Sequence, residues 1–198
     1  MILRSWMFVP GDSEKKLGKG ASLGADALIL DLEDSVVDSR KPVAREMVCD
    51  YLKSADRSIS QLWVRMNPLD GPHALLDLAG VIQGRPDGFF LPKAEHALDT
   101  ELLSNYLDVL ETEHGFDVGS TKVLSLATET AAAMLNINSY TEVNSRVVAI
   151  SWGAEDLSAA LGASSNSDEH GNLTPPYVLA RTQCLVAAYA CAVQAVDT

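Results

Sequence analysis

Cysteine is scarce: Cys49, Cys184 and Cys191 are the only three in 198 residues. That excludes a disulfide framework and leaves buried free thiols as the expectation, which points to the cytoplasm. Histidine is scarce too. His73, His96, His114 and His170 are scattered, with no cysteine at ligand spacing, so a zinc site is excluded. Basic residues are outnumbered, 15 Lys and Arg against 27 Asp and Glu, for a formal charge of −12. A chain so acidic lacks the clustered cations that nucleic-acid binding needs. No apolar run approaches the roughly 18 residues of a membrane span. The N-terminal stretch MILRSWMFVPGDSEKK has no apolar segment followed by a small-residue cleavage site, so no signal peptide is expected. Glycine, at 13 residues, is far too sparse for a collagen-like repeat, and 47% hydrophobic content excludes a disordered chain.

What is present is an alternation. Six short apolar runs recur: Trp6–Val9, Ala27–Leu30, Leu62–Val64, Gly88–Leu91, Val123–Leu126 and Val147–Ile150. Continuous rather than alternating apolar runs suit strands buried on both faces, as in a parallel sheet. Between them, helices are expected at Ser13–Leu23, Pro42–Leu52, Leu98–Glu113, Thr130–Leu135 and Pro176–Val193. Pro42 suits a first helical turn, and Leu98, Leu102, Leu103, Tyr106, Leu107 and Leu110 recur at spacings of three and four. About six β-α repeats with right-handed crossovers predict a parallel sheet flanked by helices, either doubly wound or a (β/α)8 barrel. No Gly-x-Gly-x-x-Gly follows the first run, which counts against a dinucleotide-binding fold. No linker divides the chain, so a single domain over residues 1–198 is expected.

Polar residues gather just after each strand: Asp31, Glu33 and Asp34, then Arg65, Lys93, Glu129, and Glu155 with Asp156. In an all-parallel sheet the C-terminal strand ends share an edge, and that edge carries the site in barrels and open sheets alike. Crowded carboxylates need cations among them, and Mg²⁺, which takes oxygen ligands and keeps several waters, is the expected choice. Arg65 is placed to clamp a substrate carboxylate through its two-pronged guanidinium. Other readings stay open. Glu129 and Asp156 also suit helix N-termini. Lys93 serves either substrate or a nearby carboxylate. Glu155 suits an ion-pair partner, and one of Asp34 or Asp38 a solvated loop.

The segments RSWMFVPGD, GADALILDLEDSVVDSRKPVAR, WVRMNP, DGFFLPKAE, TETAAAMLNI and AISWGAEDLSAALGA together resemble successive motifs of the citrate lyase β-subunit-like family. That family belongs to the HpcH/HpaI aldolase and citrate lyase superfamily. The likeness runs from about Leu3 to Asp197 and implies a (β/α)8 barrel of the TIM type. It implies Mg²⁺ held by Glu129 and Asp156, and Arg65 gripping the keto-acid carboxylate. Asp31 and Glu33 would support the site, and Lys93 would sit beside Arg65 as a substrate-binding group. A barrel of this type needs eight strands and about 250 residues. The chain is therefore expected to hold about six βα units and to lack the last ones, with Ala195–Asp197 opening a seventh strand. An open sheet edge would then call for another subunit, and a homo-oligomer is expected.

The resemblance implies a Mg²⁺-dependent carbon–carbon lyase acting on a short citryl- or malyl-type thioester of coenzyme A or a carrier protein. The products would be a keto acid and an acyl thioester. Glu33 and Asp34 are candidates for the catalytic base or acid, and so is a residue of the expected last βα units. The alternatives are a thioesterase, a pyruvate-type aldolase, or a non-catalytic subunit. The aldolase is disfavoured because no histidine precedes His73.

Overall fold

The computed structural model describes residues 3–197. By compactness the chain divides into two units. The first comprises the residues up to Phe90 with Asn105–Lys122, the second Leu91–Ser104 with the residues from Val123 onward. Both are α/β, and the described residues hold seven strands.

The first unit contains strands β1 (Trp6–Pro10), β2 (Ala27–Asp31), β3 (Gln61–Arg65) and most of β4 (Gly88–Leu91), with helices α1 (Glu14–Gly20), α2 (Lys41–Ser54) and α3 (Ala74–Val81). Adjacent strands pair in parallel, and the register sets Pro10 opposite Asp31, Asp31 opposite Arg65, and Arg65 opposite Phe90. The strand ends are thus level, and polar side chains that follow the apolar runs fall on one edge of the unit. All five residues of β2 are buried, as an uninterrupted apolar run demands. β1 departs from that expectation, since Met7 and Phe8 are exposed. Among the described residues it is the end strand of its unit, paired with β2 alone.

Trp63 sits against Gly88 on the neighbouring strand. A Cβ at Gly88 would lie 2.3 Å from the Trp63 ring, so the glycine is set by packing and not by conformation. Trp63 and Trp152 are core residues, whereas Trp6 is half-buried and stacks edge-on against Trp63 at 5.2 Å.

The second unit contains β5 (Lys122–Leu126, its first residue in the other unit), β6 (Val147–Ser151) and β7 (Gln194–Val196), also paired in parallel. Its helices are α5 (Ala131–Asn136), α6 (Ala154–Leu161) and α7 (Pro175–Ala190). Helix α4 (Ala97–Glu113) begins in this unit and ends in the first. The short β7 is the seventh strand whose opening was expected at Ala195, so the strand count exceeds the expected six units by one. Helix α3 was not expected, and α6 was anticipated only through Asp156 at a helix start. Each has only eight residues, too few for a helical period to stand out from the apolar strand runs beside it.

Cys184 is buried, and burial pushes its thiol up to about 12, so it packs as an inert apolar group. Cys191 is half-buried and donates to the Tyr140 carbonyl. Among the described residues no helix is long and apolar enough to cross a membrane.

Gly88→Ala is expected to destabilise the protein by about 1–3 kcal/mol, because the added methyl forces Trp63 out of its rotamer. Urea unfolding measures this. An unchanged midpoint would show that the indole does not rest on Gly88.

Candidate active site

In the first unit the acids after β2 converge on one arginine. Arg65 donates from Nε to Asp31 Oδ1 at 2.7 Å and from Nη2 to Asp31 Oδ2 at 2.8 Å, a two-point fork. Its Nη1 lies 3.1 Å from Glu33 Oε2 and donates to Asp34 Oδ2 at 3.3 Å. The guanidinium rests over the Phe8 ring, 4.7 Å from its centre. The fork expected to be open to substrate is therefore turned to Asp31. An incoming carboxylate has to meet Arg65 at the Nη1 edge, where exposed Asp34 is the longest of the contacts.

Asp31 also accepts the backbone N–H groups of Glu33 and Ser35, both at 3.0 Å. Burial pushes its carboxyl up. The Arg65 fork and charge, helped by the Ser35 side chain and the Glu33 amide, outweigh burial and hold the carboxyl below the usual aspartate range.

Beneath this cluster lies a buried polar brace that the sequence motifs did not single out. Lys41, at the start of α2, places all three ammonium donors. It reaches the Leu32 carbonyl at 2.9 Å, the Glu33 carbonyl at 3.1 Å and Asn67 Oδ1 at 2.7 Å. Asn67 donates from Nδ2 to the Leu32 carbonyl and to Asp77 Oδ2, and from its backbone N–H to the same Asp77 oxygen. Asp77, fully buried, pairs through Oδ1 with Arg45 Nε at 2.7 Å. The loop from Asp31 to Ser35 is pinned twice, its N–H groups by the Asp31 carboxylate and its carbonyls by Lys41. Gly11 completes the frame. Its N–H donates to the Asp31 carbonyl at 2.8 Å, and a Cβ there would fall 2.7 Å from that oxygen.

In the second unit a single residue engages both acids expected to hold a metal. Lys93 donates its backbone N–H to Glu129 Oε2 at 2.6 Å, and its Nζ lies 3.0 Å from Asp156 Oδ1. Lys93 has φ 51°, the left-handed region that favours glycine. Glu129 is buried at the end of β5, just before Thr130, whose hydroxyl accepts the Ala133 N–H and caps α5. Asp156 lies in the first turn of α6. Gly153, the residue before α6, packs against Glu129. A Cβ there would meet Glu129 Cγ at 2.7 Å and Oε1 at 2.8 Å. Gly153 has φ −132°, so it is the space beside the carboxylate that requires glycine.

Two carboxylates of this kind are hard oxygen donors that suit Mg²⁺, with water and substrate filling the other positions. Among the described residues no cluster of three or more His, Cys, Asp or Glu side chains forms a denser metal cage. Glu155 turns elsewhere and accepts from Asn166 Nδ2 at 2.8 Å.

Parallel α/β units with charged side chains grouped after their strands define an α/β protein of the kind whose sites lie at the C-terminal strand ends. The chain belongs to the family described as HpcH/HpaI aldolase/citrate lyase, which matches residues 4–198. It is similar to the citrate lyase subunit beta of Leuconostoc mesenteroides subsp. cremoris, with 32% identity over 100% of this chain and 63% of that protein. It is 30% identical to the mitochondrial citramalyl-CoA lyase of Rattus norvegicus, over 98% of this chain and 58% of that protein. The chain thus spans less than two thirds of the length of either relative. Among solved structures it resembles protein CitE of Mycobacterium tuberculosis in complex with magnesium and acetoacetate. That likeness has a TM-score of 0.81 and 29% identity, covering 98% of this chain and 73% of that one.

Two outcomes test this geometry. Because the Asp31 carboxyl titrates lower folded than unfolded, the stability it contributes is present above about pH 4 and is lost as pH falls through its folded value. Asp31→Asn is expected to lose on the order of 3 kcal/mol at neutral pH. Between pH 5 and 2 its unfolding free energy should fall less than the parent's, and parallel curves by urea titration would contradict the pairing. Gly153→Ala should displace Glu129 and speed hydrogen exchange at the Lys93 amide, and undiminished protection there would refute the contact.

Proposed function

We propose that the chain carries the metal and keto-acid groups of a Mg²⁺-dependent carbon–carbon lyase. Its substrate is a short β-hydroxyacyl thioester of citryl, citramalyl or malyl type, carried on coenzyme A or a carrier protein. The parallel strands β1 to β6, each followed by a helix, support the (β/α)8 type of scaffold in a single domain, which we expect to form a homo-oligomer. The observation that carries the reading is the meeting of Glu129 and Asp156 on Lys93, two acids 27 residues apart drawn to one residue. Named relatives support it, since they include a citrate lyase subunit and a citramalyl-CoA lyase.

Glu129 and Asp156 are the residues that would hold Mg²⁺, and the bound ion supplies positive charge to the keto-acid oxygens as the carbon–carbon bond breaks. Arg65 offers its Nη1 edge to the substrate carboxylate, while the Asp31 fork fixes its orientation in advance. In the second unit, Lys93 offers a cation of its own to an anionic group. Glu33 and Asp34, both on Arg65, are the candidates to take the β-hydroxyl proton. As that proton leaves, the bond between the α and β carbons breaks. Its electron pair passes to the thioester as an enolate, and a general acid protonates the enolate carbon. The protein's overall charge of −12 repels such a substrate, so the attraction has to be local, through Arg65, Lys93 and the metal.

Calorimetry of Mg²⁺ binding, with and without oxaloacetate, should show Glu129→Ala and Asp156→Ala weakened by at least about tenfold relative to the parent. Equal binding in all three rejects the metal assignment. Incubation with citryl-CoA, citramalyl-CoA or malyl-CoA is expected to release the acyl-CoA and a keto acid together. Free coenzyme A with the dicarboxylic or tricarboxylic acid intact would instead identify a thioesterase.

A further inference from the structure

Lys93 does more than add positive charge for a substrate. Its ammonium stands at hydrogen-bond distance from Asp156 Oδ1, an oxygen that a divalent ion on Asp156 would also seek. Its peptide N–H holds Glu129 Oε2 in the same arrangement. The two contacts differ in kind. The amide is a neutral donor fixed in the backbone, so it orients Glu129 without contributing a net charge. The ammonium is a full charge on a flexible stem, and the pair it forms is open to solvent. The Lys93 side chain keeps 30% of its exposure and the Asp156 side chain 27%, against 10% and 0% for the buried pair of Arg45 and Asp77. An accessible pair of this kind is weak and exchangeable. The residue carrying it is held in a left-handed backbone that a lysine adopts only at a cost, a kind of strain that gathers at functional sites.

We infer that the Lys93 ammonium is a built-in competitor for the cation position at Asp156, so that this lysine sets how tightly the centre takes Mg²⁺ and couples that affinity to the anionic substrate. The inference rests on Glu129 and Asp156 being the metal's ligands. A divalent ion arriving alone has to displace the ammonium and then tolerate a like charge close by, both of which weaken binding. A keto-acid carboxylate gives the displaced ammonium a new partner, and so removes both penalties. Metal and keto acid therefore bind with positive coupling, and by linkage each strengthens the other by the same factor. The amide contact to Glu129 is untouched by this exchange, because it belongs to the backbone.

The test is calorimetric titration of the full chain with MgCl2 alone, then in the presence of saturating oxaloacetate. Lys93→Met keeps length and removes charge. Lys93→Gly also removes the charge and relieves the left-handed backbone, so one variant remains available where the other fails to fold. Both are expected to bind Mg²⁺ alone about tenfold more tightly than the parent, with a gap that narrows at high salt. Oxaloacetate is expected to tighten Mg²⁺ in the parent and to do so much less in either variant. Unchanged or weaker Mg²⁺ binding in both variants overturns the inference. In that event, loss of binding in Asp156→Ala would leave the metal assignment standing. Mg²⁺ binding that survives in both Glu129→Ala and Asp156→Ala, or that is absent from parent and Lys93 variants alike, overturns the metal assignment and the inference with it.

Discussion

A carboxylate buried at the end of a strand has to be paired, and in this protein each pairing also fixes a piece of backbone. Asp31 is nearly inaccessible, and its two oxygens serve Arg65 and two amides of the loop that follows. Glu129 is equally buried and takes a backbone amide of Lys93. Asp77 takes Arg45 on one oxygen and Asn67 on the other. An isolated ionised carboxylate in such places would cost several kcal/mol, so the partners are obligatory. Because the partners of Asp31 and Glu129 are amides and a strand-end arginine, neutralising the charge and shaping the loop are one event there. The parallel register makes this possible by setting Asp31 opposite Arg65 on the adjacent strand.

The chemistry follows from how those obligations are shared. Arg65 carries three acids, so its neighbourhood is net negative despite the guanidinium. An anionic ligand is not drawn there by open positive charge. It would have to compete at one edge of the arginine with Asp34, the exposed member of the trio. Lys41 has the opposite task. Its acceptors are two carbonyls and an amide oxygen, and Asp77, one residue further on, balances the charge. Lys41 is thereby spent on shape, holding the acid loop from below.

Much of this was legible before the structure. The continuous apolar runs located the first six strands to within a residue or so at each end, because burial on both faces leaves no room for polar residues. The acids and cations after those runs were legible as a group for the same reason, since a charge directly following a buried run has little choice but the strand end. Their individual partners were not. A fork on Arg65 reads equally well as open to substrate or closed on Asp31, and only the cross-strand register decides. For Lys93 the pair with a nearby carboxylate was one of two readings, and the contact with Asp156 is that pair. Lys41 and Asn67 escaped notice because a lysine at a helix start and an asparagine before a proline look like ordinary surface and turn residues. Their burial is a tertiary fact. Gly153 carries no signal in its conformation, only in the carboxylate it makes room for.

The charged pairs also sort by exposure into frame and mechanism. The pair of Arg45 and Asp77 is sealed, and breaking it leaves a bare charge in the interior, so it can only be permanent. The Asp31 fork is nearly as closed, and the loop depends on it. Asp34 on Arg65 and Lys93 on Asp156 are different, because at each at least one partner keeps a substantial share of its contact with water. Solvent can take over either half of such a pair at little cost, so a ligand of matching charge can as well. Among the pairs of the candidate site, the two open to such an exchange are an acid on the arginine and a cation on the aspartate. One would be vacated for a carboxylate and the other for a metal.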